Sequence, residues 1–480
     1  MRRSMPNSVG RSVFGRRDRL ALLAAATAAL VVELDWLAVT MALPDIAAYL
    51  HRPVTDLQWL ISAFTLAFGS VMPIGGWVVD AFGRRRTTIY GLELFVLGSL
   101  LCAFAPSLLW LIVGRVVQGV AGGFIVPGAI AMTAGGFSGR RREIGLGVVM
   151  ATASGLAALA PFVGGVLVSG FGWRSVFLSV VPVCLLSGAL VYWCVTPSFN
   201  AESAARRPPF LNGACVMLGA VALTVTVDRG SSWGWTSPLT VLCAAAGLAL
   251  LTGFALLEHR GTGALLDRSL YRDKALRVLT LAGAVSLIAF VVVSMLVTWE
   301  LQTGLGLSPF LAGCVLLSFS APNALAAYGA GRLAGRKSAW CYVAGGLAAA
   351  GAGAALVAWA PFPAGYAIAL VVCGAGIGLS GTLSNLLTQQ RVPASQAGAV
   401  ASMTLAIKTL GAAVATSLAA TLLDTLHHSS SGAAADRSGI DTVLRLVSAM
   451  TAAGILLCVP TTLRLLRSGR RRHDHPGTSP

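Results

Sequence analysis

The stretch "GGWVVDAFGRRR" (Gly75–Arg86) decides the fold. An apolar run ends in one acid, Asp80; Gly83 follows three residues later, and then Arg84, Arg85 and Arg86. The run behind the acid, residues 57–79, carries no charge. It has about the 20 residues that a helix needs to cross the hydrocarbon core of a bilayer. Asp80 stands where such a helix would meet water. Gly83 permits a tight turn. The three arginines hold the next loop on one side of the membrane. Gly76, four residues before the acid, removes a side chain and lets a neighbouring helix approach closely. A short anchored loop accounts for the arginines alone. It does not account for an acid set between two glycines at this spacing.

Apolar run and charged connection alternate along the whole chain. Of its 480 residues, 56% are hydrophobic and 11% charged, and the mean hydropathy is +0.78. A soluble chain carries about 25% charged residues. This one lacks the polar surface for that and is expected to be an all-α polytopic membrane protein. Fourteen segments are expected to span: 20–43, 57–79, 87–105, 108–133, 144–168, 174–195, 211–228, 239–257, 276–299, 311–331, 339–360, 364–388, 396–424 and 440–466. With the N-terminus in the cytoplasm and the loops alternating, 28 of the 35 Lys and Arg fall on the cytoplasmic side. Four fall outside or at an outer rim (Arg52, Arg174, Arg229, Arg437) and three deep within segments (Arg115, Lys408, Arg445). That asymmetry is what the positive-inside rule demands, and a missed segment would scramble it. Both termini are therefore expected in the cytoplasm.

The net charge of +17 would suggest nucleic acid if taken alone. Its confinement to one side makes it topology instead, and no nucleic-acid partner is expected. Nine cysteines are scattered singly through apolar runs, with no CxxC and no zinc spacing, and are read as buried thiols. The six histidines (His51, His259, His427, His428, His473, His475) all lie outside the segments, so no haem, metal or histidine proton relay is expected within the membrane. The N-terminal "GRRDRLALLAAATAAL" (Gly15–Leu30) has the form of a signal peptide. Its apolar run continues past Glu33 and Asp35 to Pro44, however, and another segment follows at once, so it is expected to stay uncleaved. No phosphate-binding loop or catalytic His, Ser/Asp or metal set appears, so neither an enzyme nor a cofactor is expected. Three lysines against 32 arginines, with abundant Ala and Gly, point to a GC-rich bacterial genome and hence a bacterial cytoplasmic membrane.

The spacing Gly76, Asp80, Gly83, Arg84, Arg85, Arg86 resembles the G-x-x-x-D-x-x-G-R-R-R loop motif of the major facilitator superfamily, with Ala81 where an arginine is usual. A later stretch, "GAGRLAGRKSAW" (Gly329–Trp340), resembles a worn copy, with Gly335 where the acid belongs. In the family these loops govern opening on the cytoplasmic side, a role the resemblance gives to Gly76, Asp80, Gly83, Arg84 and Arg85. The copies lie 255 residues and eight segments apart. Two six-helix repeats would separate them by six. The chain thus resembles the 14-helix drug:proton antiporter group, in which two extra helices lie between the bundles. "LDWLAVTMALPDIAAYL" (Leu34–Leu50) is similar to the group's first-helix motif, "LIVGRVVQGVAGG" (Leu111–Gly123) to its fourth, and "ELQTGLGLSPFLAG" and "IKTLGAA" to its ninth-to-tenth and thirteenth. "APFVGGVLVSGFGWRSVF" (Ala160–Phe177) resembles the fifth-helix antiporter motif through Pro161, Gly164 and Gly165, with Ala160 where Gly is usual. The implied organisation is a basic tail (1–19), a six-helix bundle (20–195), two extra helices (211–257), a cytoplasmic loop (258–275), a second six-helix bundle (276–466) and a basic tail (467–480).

Charges within segments are costly and mark candidate sites. Glu33 and Asp35 lie about 20 Å from the inner end of the first segment, and Arg115 about 10 Å below the outer end of the fourth, so all three share the outer half of the membrane. A carboxylate facing Arg115 would form an ion pair, and a proton on it would release the arginine. This is the logic of a proton switch, or of competition between a proton and a cation. Residues two apart point to nearly opposite faces of a helix, so Glu33 and Asp35 cannot share one cavity. Asp35 occupies the family's position, Glu33 is the extra acid, and a static pair with Arg115 is the third reading. Gln118, one turn beyond Arg115, lines or packs the same cavity. Lys408, about 17 Å into its segment, binds an anion, pairs with an acid of the other half or merely packs. Glu93 is read as reaching for the inner face, and Asp228, Glu300, Asp424 and Asp441 as solvated outer ends. Asn323 and Asn385 line the cavity or bridge helices.

The function implied is that of a monomeric, proton-coupled antiporter exporting lipophilic drugs or secondary metabolites by alternating access. Two acids in the first helix favour cations, while Lys408 leaves anionic compounds open. A proton-coupled importer and an exporter of a single metabolite are the alternatives. The proton gradient is the expected energy source, and protons, lipids and one small lipophilic molecule the expected partners.

Overall fold

The computed structural model describes residues 14–137, 159–197, 210–260, 273–336, 338–359, 363–392, 397–429 and 440–456, with isolated positions at 141–152 and 458. Among them there is no strand. The helices are α1 (Arg16–Leu50), α2 (Gln58–Phe82), α3 (Arg84–Ala103), α4 (Leu108–Gly136), α5 (Ala160–Phe171), α6 (Arg174–Cys194), α7 (Phe210–Trp233), α8 (Pro238–Arg260), α9 (Lys274–Trp299), α10 (Pro309–Leu333), α11 (Ala339–Trp359), α12 (Pro363–Gln390) and α13 (Ala397–Ser429). A last helix, α14, covers 440–456. Among the described residues, ten helices are long and apolar enough to cross a membrane, and α2, α5 and α7 carry shorter apolar stretches. The chain is a multi-pass membrane protein. The tails 1–13 and 467–480, most of the 258–275 loop and most of the first half of the fifth segment lie outside the described residues.

Several helices overrun the expected segments, α1 most of all. α1 extends from Arg16 to Leu50 with Pro44 inside it. The hydropathy edge marks where the hydrocarbon ends, and the backbone goes on satisfying its own hydrogen bonds beyond it. Pro44 costs one backbone bond without ending so long a helix.

Two halves repeat one packing scheme. α4 lies against both α2 and α3, and eight helices later α12 lies against both α10 and α11. Glycines set these approaches. A Cβ on Gly75 would strike the Gly123 carbonyl of α4, and one on Gly374 or Gly378 of α12 would strike the Phe319 or Asn323 carbonyl of α10. Apolar burial drives little helix association in lipid, so such close backbone packing takes its place. The close approach falls at Gly75, one position before Gly76, and one residue turns a helix by about 100°.

α7 packs against α2 of the first half and α13 of the second. Ala220 meets Leu66 and Ala413, and Thr421 donates to the Val227 carbonyl (3.1 Å). α8 lies on α7, with Gly219 under Leu251 and Gly247 under Leu223.

The halves meet at the end where α1 passes into α2, called the upper end here. Gly165 of α5 lies against Pro309 and Phe310, and Gly313 of α10 against Pro161 and Phe162. The rings of Phe162 and Phe310 are 5.8 Å apart. The Phe310 amide donates to Ser169 Oγ (3.2 Å), Gln302 Nε2 to the Met41 carbonyl (3.5 Å), and Ser62 and Ser417 share a hydrogen bond of 3.2 Å. One apolar core runs through this region from the first half into the second. A separate cluster, with Ala275, Leu279, Ala330, Trp340 and Leu383, belongs to the lower end of the second half alone. The structure is closed at the upper end. A cavity of about 20 Å³ remains there between Thr40, Pro44, Gln58, Thr298 and Trp299, room for about one water.

Candidate functional site

α1 and α4 place Asp35 and Arg115 opposite each other. Both side chains have no exposure to solvent, and Arg115 Nη1 forms an ion pair with Asp35 Oδ2. The other carboxylate oxygen accepts from Gln118 Nε2 (2.9 Å), and Gln118 Oε1 accepts from Arg115 Nη1 (2.8 Å). Arg115 Nε donates to the Leu60 carbonyl of α2 (2.8 Å), and its guanidinium lies 4.3 Å from the centre of the Phe64 ring. Each partner follows from helix geometry. Arg115 and Gln118 are three residues apart and share a face, and Leu60 and Phe64 are four apart on the face opposite. A carboxylate, an amide, a carbonyl and an aromatic face surround one guanidinium. The set compensates a charge that would otherwise be prohibitively costly in hydrocarbon.

α3 closes the network. Gln118 Nε2 also donates to Ser99 Oγ (2.9 Å), which donates to the Phe95 carbonyl (2.8 Å). The Cys102 thiol faces Gln118 Oε1 (3.8 Å). Sequence reasoning missed Ser99 and Cys102. Their one sequence signal is that they stand three apart, on a single helix face.

Glu33 is not part of this network. It is half-buried and forms no hydrogen bond or ion pair among the described residues. The two acids of α1 therefore differ in kind, one locked and one free.

Lys408 on α13 is 3% exposed. Its ammonium donates to Asn385 Oδ1 of α12 and packs on Gly283 of α9, where a Cβ would strike Lys408 Cε and Nζ. No carboxylate pairs with it among the described residues, so of the partners considered from sequence the acid of the other half is not found. Asn385 bridges helices, and Asn323 gives its backbone to Gly378. Arg445 stands 5.9 Å from the centre of the Trp359 ring.

At the opening stretch, Gly83 ends α2 and starts α3 with φ +95°, a conformation that disfavours any side chain. Arg84 Nη1 reaches the Ala131 carbonyl of α4 (3.4 Å), and Arg85 lies over Tyr192 of α6 (4.3 Å). Both contacts stay within the first half. The side chain of Asp80 lies outside the described residues, as does Lys337 of the second copy. In α5, Pro161, Gly164 and Gly165 are buried. Gly164 admits the Ala38 backbone of α1 and Gly165 that of α10, so this motif joins the halves.

Two expectations are corrected. Glu300 is not a solvated helix end. It is 5% exposed and opens a π-helical turn, Glu300–Gly304, that extends α9. Glu93 is exposed, midway along α3, and Cys314 and Cys341 are exposed rather than buried. A hydropathy pattern locates a thiol within a span, but not on its inner or lipid-facing side.

The Major Facilitator Superfamily profile matches residues 25–416. The chain is 31% identical over 410 residues to the multidrug resistance protein Stp of Mycobacterium tuberculosis, covering 83% of this chain and 74% of that one. It is 32% identical over 400 residues to the puromycin resistance protein pur8 of Streptomyces alboniger, covering 82% and 79%. Among solved structures, the human organic anion transporter MFSD10 (TETRAN) aligns with TM-score 0.65 at 14% identity, over 93% of this chain and all of the other, a likeness of fold. Profile, relatives and the repeated two-half packing agree: the chain belongs to the Major Facilitator Superfamily.

Proposed function

We propose that this protein exports drugs or secondary metabolites from a bacterial cell in exchange for protons. Fourteen crossings would put both termini and the arginine-rich lower end in the cytoplasm. Efflux is supported by relatives named for resistance to several drugs and to puromycin. Proton coupling is supported by one observation above all, the fully buried Asp35–Arg115 pair held by Gln118.

In the upper-closed state Arg115 and Gln118 both donate to the Asp35 carboxylate. When the halves rock and the site opens to the outer, more acidic side, a proton on Asp35 cancels its charge. Arg115 then keeps only Leu60, Gln118 and the Phe64 ring, and the link between α1 and α4 weakens. A proton and a cationic substrate cannot both satisfy Asp35, so each expels the other. Binding of either shifts the equilibrium by its differential affinity for the two states. No nucleotide is needed, and the gradient supplies the energy.

Inverted vesicles carrying the protein test this. An imposed proton gradient should drive uptake of a fluorescent lipophilic cation, and Asp35→Asn should abolish it. Undiminished uptake by Asp35→Asn would rule out Asp35 as the coupling group. Movement only in the opposite direction would make the protein an importer.

A further inference from the structure

Lys408 is a buried cation without a built-in counterion. An ammonium carries three donors and needs acceptors for them. Asn385 supplies one, and no carboxylate lies within ion-pair distance among the described residues. The first half shows the same problem solved internally, since Arg115 has its own carboxylate, amide and carbonyl. Placing a charge in a low-dielectric interior is costly unless something compensates it.

The surroundings of Lys408 fit an incoming ligand. It stands eleven residues from the lower end of α13, and Asn385 five from the lower end of α12. That is below the level where Ser62 meets Ser417, beside the point where Gly69 of α2 packs on Thr409. Lys408 is buried, yet its partner Asn385 is exposed, so the ammonium communicates with the surface through one amide. Gly283 leaves room for the end of the side chain, and any larger residue would press on Nζ. The Asn385 amide oxygen carries no net charge, so an anion, which adds Coulombic attraction to the same hydrogen bond, can displace it.

We infer that the Lys408 ammonium, seated on Gly283, forms an anion-binding site in the second half from which an anion displaces the Asn385 amide, and that the exported compound presents an ionised carboxylate to it. This substrate class rests on the exporter reading above, while the site itself does not.

Equilibrium binding to the purified protein in detergent tests the site without any gradient. The probes are 5-carboxyfluorescein, an anion, and rhodamine 6G, a cation on the same ring system, followed by fluorescence anisotropy. Wild type should bind carboxyfluorescein saturably, with competition by 1-naphthoate and not by 1-naphthylmethylammonium. Lys408→Gln should weaken the anion at least about 10-fold and leave the cation unchanged, whereas Lys408→Arg and Asn385→Ala should keep anion binding. Absence of carboxyfluorescein binding by wild type, or unchanged binding by Lys408→Gln, would overturn the inference. If Lys408→Gln does not fold, the other two variants decide. Loss of anion binding in Asn385→Ala together with lowered thermal stability would mean that the bond is only a strut between α12 and α13. Anion binding without gradient-driven movement of either dye in inverted vesicles would refute the exporter reading and leave the site standing.

Discussion

Asp35 and Glu33 lie two residues apart on one helix and have opposite fates. Asp35 has both carboxylate oxygens paired, with Arg115 and Gln118, although the buried Nη2 of that arginine has no hydrogen-bond partner among the described residues, and Glu33 has no partner among them at all. The pairing makes Arg115 structural as well as functional. Removing one member of a buried pair typically costs about 3–5 kcal/mol, so Arg115→Ala should lower thermal stability markedly. Glu33→Gln should leave the melting temperature nearly unchanged while weakening uptake of lipophilic cations. Equal melting shifts for the two variants would contradict this division. At this scale the sequence was informative wherever a charge interrupts an apolar run, which is why Asp35, Arg115 and Lys408 stood out, and Gln118 with them, one turn from Arg115. It was silent on Ser99 and Cys102, because small polar residues within a span look like packing. It misjudged Glu300, because hydropathy does not foretell a π-helical turn.

Glycine decides how closely helices approach each other. Gly165 and Gly313 each receive the backbone of the opposite half, so the upper end closes only because two side chains are missing. Gly165→Leu should hold that end open. In a cysteine-free background, a cysteine at position 40 should then react with a membrane-impermeant maleimide from outside, and should be protected when Gly165 is intact. Gly83, with φ +95°, is a different case, since it is backbone conformation and not space that forbids a side chain. Gly83→Ala should cost about 1–2 kcal/mol, read as a lower melting temperature, without changing which end is closed. The spacing of Gly76, Asp80 and Gly83 revealed the α2–α3 turn in the sequence. The glycine that α4 packs against, Gly75, did not stand out, because adjacent glycines give no clue to which one faces the neighbour.

Across the whole molecule, the distribution of basic residues carries the clearest prediction. With 28 of 35 Lys and Arg expected on one side, a tag at either terminus should resist protease added to intact cells. Cleavage of one tag alone would mean an odd number of crossings. The two halves were legible from the two loop stretches eight segments apart, because a repeated turn leaves a mark in the chain that helix packing does not. The place of the extra pair was not legible, since nothing in their apolar residues says which helices they touch. α7 lies along α2 and α13, over one of the seams between the halves, while α5 and α10 meet directly at another. The transporter therefore has a back and a front within the plane of the bilayer. The back is shuttered towards the lipid by α7, whereas at the front the α5 and α10 backbones themselves shut the upper part of the seam.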